Sequence, residues 1–115
     1  MSPITCLFCR IAEREIAADI VEETPEIVVF KDTNPQAPVH VLVIPREHVS
    51  SLTDISDAHM SVLGKAMQLI PRLAKKLQLE SGYRVVINSG AQAGQTVFHL
   101  HIHLLGGRQF RWPPG

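Results

Sequence analysis

No stretch of this chain approaches the roughly 20 consecutive apolar residues that a membrane-spanning helix needs, so no such helix is expected. Neither sign of charge is in excess, because 11 Lys and Arg balance 11 Asp and Glu. That balance leaves no broad basic face for nucleic acid or for an anionic membrane surface, and neither is an expected partner. An anionic ligand would have to be met by local groups. Cysteine is scarce: Cys6 and Cys9 are the only two, spaced C-x-x-C. The opening MSPITCLFCR lacks the positive n-region and apolar h-region of a signal peptide, so the expected location is cytoplasmic. In that compartment the spacing favours metal binding or thiol chemistry over a structural disulfide.

What is present suits one folded domain spanning residues 1–115, with 45% hydrophobic and 19% charged residues. Residues 6–15 suit a short helix, because Leu7 and Ile11 fall on one face. Residues 18–23 and 26–32 read as a hairpin around Thr24-Pro25, and residues 40–45 as a strand ending at Pro45. Residues 57–79 carry the one long helical pattern. Met60, Leu63, Met67, Ile70, Ala74 and Leu77 form its stripe, Ser56 or Asp57 is its cap, and Pro71 predicts a kink or break near Ile70. Strands over 83–88 and 96–105 flank the small-residue loop SGAQAGQ. Five strands with one long and one short helix predict an α+β fold built on an antiparallel sheet, its core between the helical stripe and one sheet face.

The chemistry concentrates in FHLHIHLLGGR. Alternation along a strand places His99, His101 and His103 on one face and Phe98, Leu100, Ile102 and Leu104 on the other, which is wholly apolar. Three histidines in one strand do not readily share one zinc ion, since positions i and i+4 stand about 13 Å apart. They suit phosphate chemistry better. A neutral imidazole is a nucleophile, and a second ring can hold phosphate oxygens. The preceding GAQAGQT segment brings backbone N–H groups and the Thr96 hydroxyl to the strand's mouth. A metal-dependent hydrolase using zinc on His101 and His103 is the rival reading of that face. A thiol oxidoreductase lacks a supporting βαβ context. Taken alone, His59 reads as a surface residue, and His40 as a partly buried histidine sharing a strand face with Leu42 and Ile44.

The run from His99 to Leu105 resembles the histidine triad (HIT) signature in full, and the likeness extends over nearly the whole chain. FKDTNPQAPVHVLVIPREH, GYRVVINSG and GGRQFRWPPG resemble the nucleotide-binding (HINT) branch of that superfamily. The resemblance implies a hydrolase of purine nucleoside 5′-phosphoramidates, such as AMP-amine or AMP-lysine conjugates, acting through a covalent nucleotidyl-histidine on His101. It implies phosphate binding by His103, a supporting relay of His99 and His40 that orients His101, and phosphate contacts from Asn88, Gly94, Gln95, Thr96 and Val97. Asp32 would hold the ribose, with Thr33 beside it, and Leu7, Phe8, Ile11 and Phe30 would line a base slot. Those four apolar residues equally suit an ordinary core. No cofactor is implied for catalysis. The alternatives are a dinucleoside polyphosphate hydrolase and a nucleotide-binding regulatory module whose turnover is incidental. Relatives of this branch are homodimers with joined sheets, in which the 108–115 tail and Trp112 reach the partner's leaving-group pocket. The C-x-x-C pair departs from many HINT relatives. It resembles other triad proteins whose structural zinc would correspond here to Cys6, Cys9, His48 and His99. With zinc present, the relay of His99 and His40 comes into question.

Overall fold

The computed structural model describes residues 5–115. A short helix α1 (Leu7–Ala12) is followed by strands β1 (Ile20–Glu23), β2 (Ile27–Lys31) and β3 (Val39–Pro45). The long helix α2 (Met60–Lys76) then leads to β4 (Tyr83–Val86) and β5 (Ile102–Gly106). The strands form one sheet in the order β1-β2-β3-β5-β4, and every neighbouring pair is antiparallel. This is the α+β architecture expected. Among the described residues, no helix is long and apolar enough to cross a membrane.

The sheet is covered on both faces, not one. Val41, Val43, Ile102 and Leu104 pack against Leu69, Ile70, Leu73 and Ala74 of α2. The alternate residues Val28, Phe30, Leu42 and Ile44 pack against α1 and its cysteines. Two-residue alternation in β2 and β3 therefore feeds two cores, and their near-continuous apolar sequences reflect that double burial. Leu73 is fully buried. Leu73→Ala is expected to cost about 2–5 kcal/mol through lost burial and a residual cavity, read as a lower denaturation midpoint with an unchanged m-value.

Three expectations need correction. The helix runs unbroken through Pro71. Proline there removes the N–H that would bond the Met67 carbonyl, but both residues are exposed, so water can satisfy the orphan group. The buried stripe is Ala66, Leu69, Ile70, Leu73 and Ala74, while Met60 and Met67 are exposed. The segment MQLIPRLA carries apolar residues on two neighbouring faces, and periodicity alone does not choose between them. The last strand begins at Ile102, not at residue 96, and Phe98 is 49% exposed instead of packed in the core.

That late start positions the site. Val43 opposite Ile102 is the last ladder pair of β3 with β5. Upstream of it, the Leu100 N–H bonds the Val49 carbonyl at 2.7 Å, so residues 98–101 follow a separate path past the end of β3.

Candidate active site

The register sets Leu42 directly opposite His103, and both face α1. His101 and His103 stand side by side there, their ring centroids 4.9 Å apart. They open on a cavity of about 590 Å³ whose other walls include Asp32, Thr33, Thr96, Val97, Phe30 and Leu42. Leu7, Phe8 and Ile11 of α1 form its apolar side, so these expected base-slot residues do line one space.

Hydrogen bonding fixes the ring tautomers. His101 Nδ1 lies 2.7 Å from the backbone carbonyl of His99. A carbonyl only accepts, so Nδ1 carries the hydrogen and Nε2 keeps its lone pair. The Gln36 N–H donates to Nδ1 of His40 at 3.0 Å, which puts the His40 hydrogen on Nε2. That Nε2 donates to Nδ1 of His103 at 2.9 Å. His103 must then carry its own hydrogen on Nε2, a buried atom with no hydrogen-bond partner among the described residues. An unpaired buried donor is costly unless a ligand oxygen meets it.

The expected relay is therefore divided. The backbone of His99 orients His101, whereas the ring of His40 orients His103. Asp32 lies 3.4 Å from His40 Nε2, so it touches the relay as well as the cavity. Burial pushes the pKa of His40 down, opposed by the Asp32 carboxylate. Burial, with help from His101 and His40, holds His103 at about 4.

The ring of His99 has a different neighbourhood. It is fully buried, and its Nδ1 lies 3.4 Å from the sulfurs of both Cys6 and Cys9 and 3.3 Å from Nδ1 of His48. Cys9 Sγ is also 3.3 Å from His48 Nδ1. A tetrahedral zinc with bonds of about 2.3 Å to sulfur and 2.0–2.1 Å to nitrogen has edges of about 3.5 Å (N to S) and 3.3 Å (N to N). The four donors are thus spaced as zinc ligands. His99 Nε2 donates to the Pro45 carbonyl at 2.7 Å, which leaves Nδ1 bare for a metal. The set is closed, with no further protein donor needed, as structural sites are.

Burial holds His99 at about 4, against the Pro45 carbonyl, which favours the charged ring. Both His99 and His103 are held below the ordinary value near 6.5, so between about pH 6.5 and 4 the unfolded chain binds more protons than the folded one. Stability contributed by these two rings is complete above about pH 6.5 and declines as pH falls toward 4. Thermal unfolding at pH 5 is expected at a lower temperature than at pH 7; an equal or higher midpoint would contradict neutral burial.

Several expected contacts lie elsewhere. Asn88, Gly94 and Gln95 do not line the cavity. The Gln95 side chain is buried and clamps its own loop: Nε2 donates to the carbonyls of Ser50 and Val97, and Oε1 accepts from the Gly90 N–H. Gly94 takes a left-handed φ of 98°, which ends the 3-10 turn Ala91–Ala93 without a Cβ penalty. Thr96 and Val97 alone of that loop reach the cavity. Trp112 is 83% exposed and touches no part of it. The tail packs instead through Phe110, between the guanidinium groups of Arg84 and Arg108 at 5.0 and 4.3 Å.

Sequence reasoning missed Gln36 and Pro45, which act through backbone groups that no side-chain motif reveals. It also missed Ile16, Ala17 and Ala18 in the cavity wall. The same-face relation of His40 and Leu42 was a usable signal for Leu42, the cavity residue opposite His103.

The HIT domain family matches residues 13–110, and the chain belongs to that family. It is 43% identical over 111 residues to a 14 kDa zinc-binding protein of Zea mays, covering 95% of this chain and 87% of that one. Among solved structures, a HIT family hydrolase from Legionella pneumophila Philadelphia 1 superposes with a TM-score of 0.94 at 46% identity, covering 96% of this chain and all of the other. A histidine triad nucleotide-binding protein from Candida albicans gives 0.80 at 34% identity, over 95% and 83% of the two chains.

Proposed function

We propose that the protein hydrolyses the P–N bond of purine nucleoside 5′-phosphoramidates through a covalent intermediate on His101. The observation that carries this reading is the 2.7 Å bond from His101 Nδ1 to the His99 carbonyl, which leaves Nε2 as a free nucleophile in a wall of the cavity. The hydrolase and nucleotide-binding relatives support the reaction class and the ligand class.

In this mechanism Asp32 accepts hydrogen bonds from the ribose hydroxyls and the apolar slot packs on the base. The unpartnered Nε2–H of His103 donates to a phosphate oxygen. His101 Nε2 attacks the α-phosphorus, the P–N bond breaks, and the amine departs with its electron pair and takes a proton from solvent. The ring keeps its Nδ1 hydrogen and so becomes cationic, and the His99 carbonyl stabilises that charge as it develops. Water then attacks phosphorus, the P–Nε2 bond breaks, and the mononucleotide leaves as solvent takes the water's proton.

His99, with Cys6, Cys9 and His48, would hold a zinc ion in a structural role, a reading the zinc-binding relative from Zea mays supports. Hydrolysis of adenosine 5′-phosphoramidate with and without a mild chelator tests the assignment. At saturating substrate, turnover is expected to depend on folded protein and not on added metal. Activity restored to chelated, folded protein only by added metal would instead favour a metal-activated water.

The same reading includes a homodimer. Strand β4 is a sheet edge, and Val85, opposite Leu104, lies on the α2 side of the sheet. Tyr83, Val85, Met60 and Met67 are all exposed there. An edge unpaired among the described residues, beside exposed apolar side chains, suits pairing with a second copy, which would bring Trp112 to the partner's cavity. Light scattering is expected to give twice the 12.7 kDa chain mass, and Val85→Lys to shift it toward one.

A further inference from the structure

The cluster of Cys6, Cys9, His48 and His99 adjoins the nucleotide cavity through one element, α1. This helix has six residues, too few to be stable alone. Cys6 is its N-cap, with Sγ accepting from the Cys9 N–H at 3.4 Å, and Cys9 lies in its first turns. Between and just beyond these two sulfurs sit Leu7, Phe8 and Ile11, the three residues that α1 gives to the cavity. Phe8 forms the common wall. Its ring meets His99 of the cluster at 6.1 Å, and His101 and Phe30 of the cavity at 5.0 and 5.4 Å. At the other end of the helix, Arg46 Nη1 donates to the Ala12 carbonyl at 2.9 Å.

The phosphate end of the cavity is anchored differently. The Leu100 N–H is held by the Val49 carbonyl, and the His99 ring keeps its bond to the Pro45 carbonyl in addition to its contacts with the cysteine sulfurs. His103 is held by His40 across β3 and β5. Release of the two sulfurs would therefore loosen the base wall far more than the phosphate and ribose groups.

We infer that Cys6 and Cys9 are positioning residues for the nucleotide base: held on a metal, they fix α1, and metal binding and base binding are thereby thermodynamically coupled. The inference rests on the cavity taking a mononucleotide. Coupling of this kind is reciprocal, so a ligand that uses the α1 wall must tighten metal binding by the same factor by which metal tightens the ligand. A ligand without a base has little to gain.

The test compares AMP with ribose 5-phosphate on zinc-loaded protein. Zinc affinity is measured by competition with a chromogenic chelator, alone and with each ligand at saturation. AMP is expected to raise zinc affinity about tenfold, within the usual range for coupled sites, and ribose 5-phosphate by less than about threefold. In the converse arm, chelated protein whose fold is intact by circular dichroism is expected to bind AMP about tenfold more weakly and ribose 5-phosphate nearly as before. Equal effects of the two ligands, or none from either, would overturn the coupling while leaving the hydrolase reading untouched. Should chelation unfold the chain, the competition arm on loaded protein still decides. Failure of AMP to bind zinc-loaded protein would remove the nucleotide reading and this inference together.

Discussion

Replacing His101 with alanine is expected to lower phosphoramidate hydrolysis at least ten-thousandfold while AMP affinity changes only a few-fold. The size of the loss follows from the role. A nucleophile that forms a covalent bond has no substitute in the cavity, and removing such a group typically costs several powers of ten in kcat. His103 cannot replace it, because its Nδ1 is occupied by His40 and its Nε2 carries the hydrogen. The affinity should survive because the apolar slot, Asp32 and the His103 donor all remain. Mass spectrometry of the wild-type protein quenched during turnover should find a nucleotidyl adduct, absent from His101→Ala. Retained turnover in the variant would end the covalent mechanism. Parallel loss of binding and turnover would make that ring structural.

The second large effect is on stability. Cys9→Ala is expected to reduce bound zinc from about one per chain to near none and to lower the thermal midpoint by roughly 10 °C or more, since loss of a structural metal ranks among the most destabilising single changes. Cys9 is almost wholly buried and lies within 3.4 Å of the ring nitrogens of both His48 and His99. Without the metal, three donors would remain packed together in a core that also holds Phe30, Leu42 and Ile44. Zinc content by elemental analysis and the melting curve are measured on the same samples. An unchanged midpoint with no zinc in either protein would leave Cys6 and Cys9 as an ordinary pair of reduced thiols.

Much of the candidate site could be read along the chain, because it depends on local alternation. His101 and His103 are two residues apart and face the cavity together. His40 and Leu42 share a strand face for the same reason. The cavity residues Leu7 and Ile11 follow helical spacing. Less could be read where contacts join distant segments through backbone groups. Nothing in the spacing of Gln36 or Pro45 marks them as the groups that set the tautomers of His40 and His99. Nor does spacing show that the Gln95 side chain is a buried clamp with three partners in its own surroundings.

By itself the sequence determined the antiparallel α+β plan, the near-continuous apolar runs of β2 and β3, the alternation of the histidine segment, and the presence of histidine and cysteine in chemically usable patterns. These follow from periodicity, and periodicity is local. The tertiary structure alone decided what each of the three histidine rings meets. The β3–β5 ladder stops at Ile102, so His99 leaves the strand and its ring meets cysteines some 90 residues away, while its carbonyl remains to orient His101. Strand spacing sets which way a side chain points, but only the path of the chain in space sets what it meets.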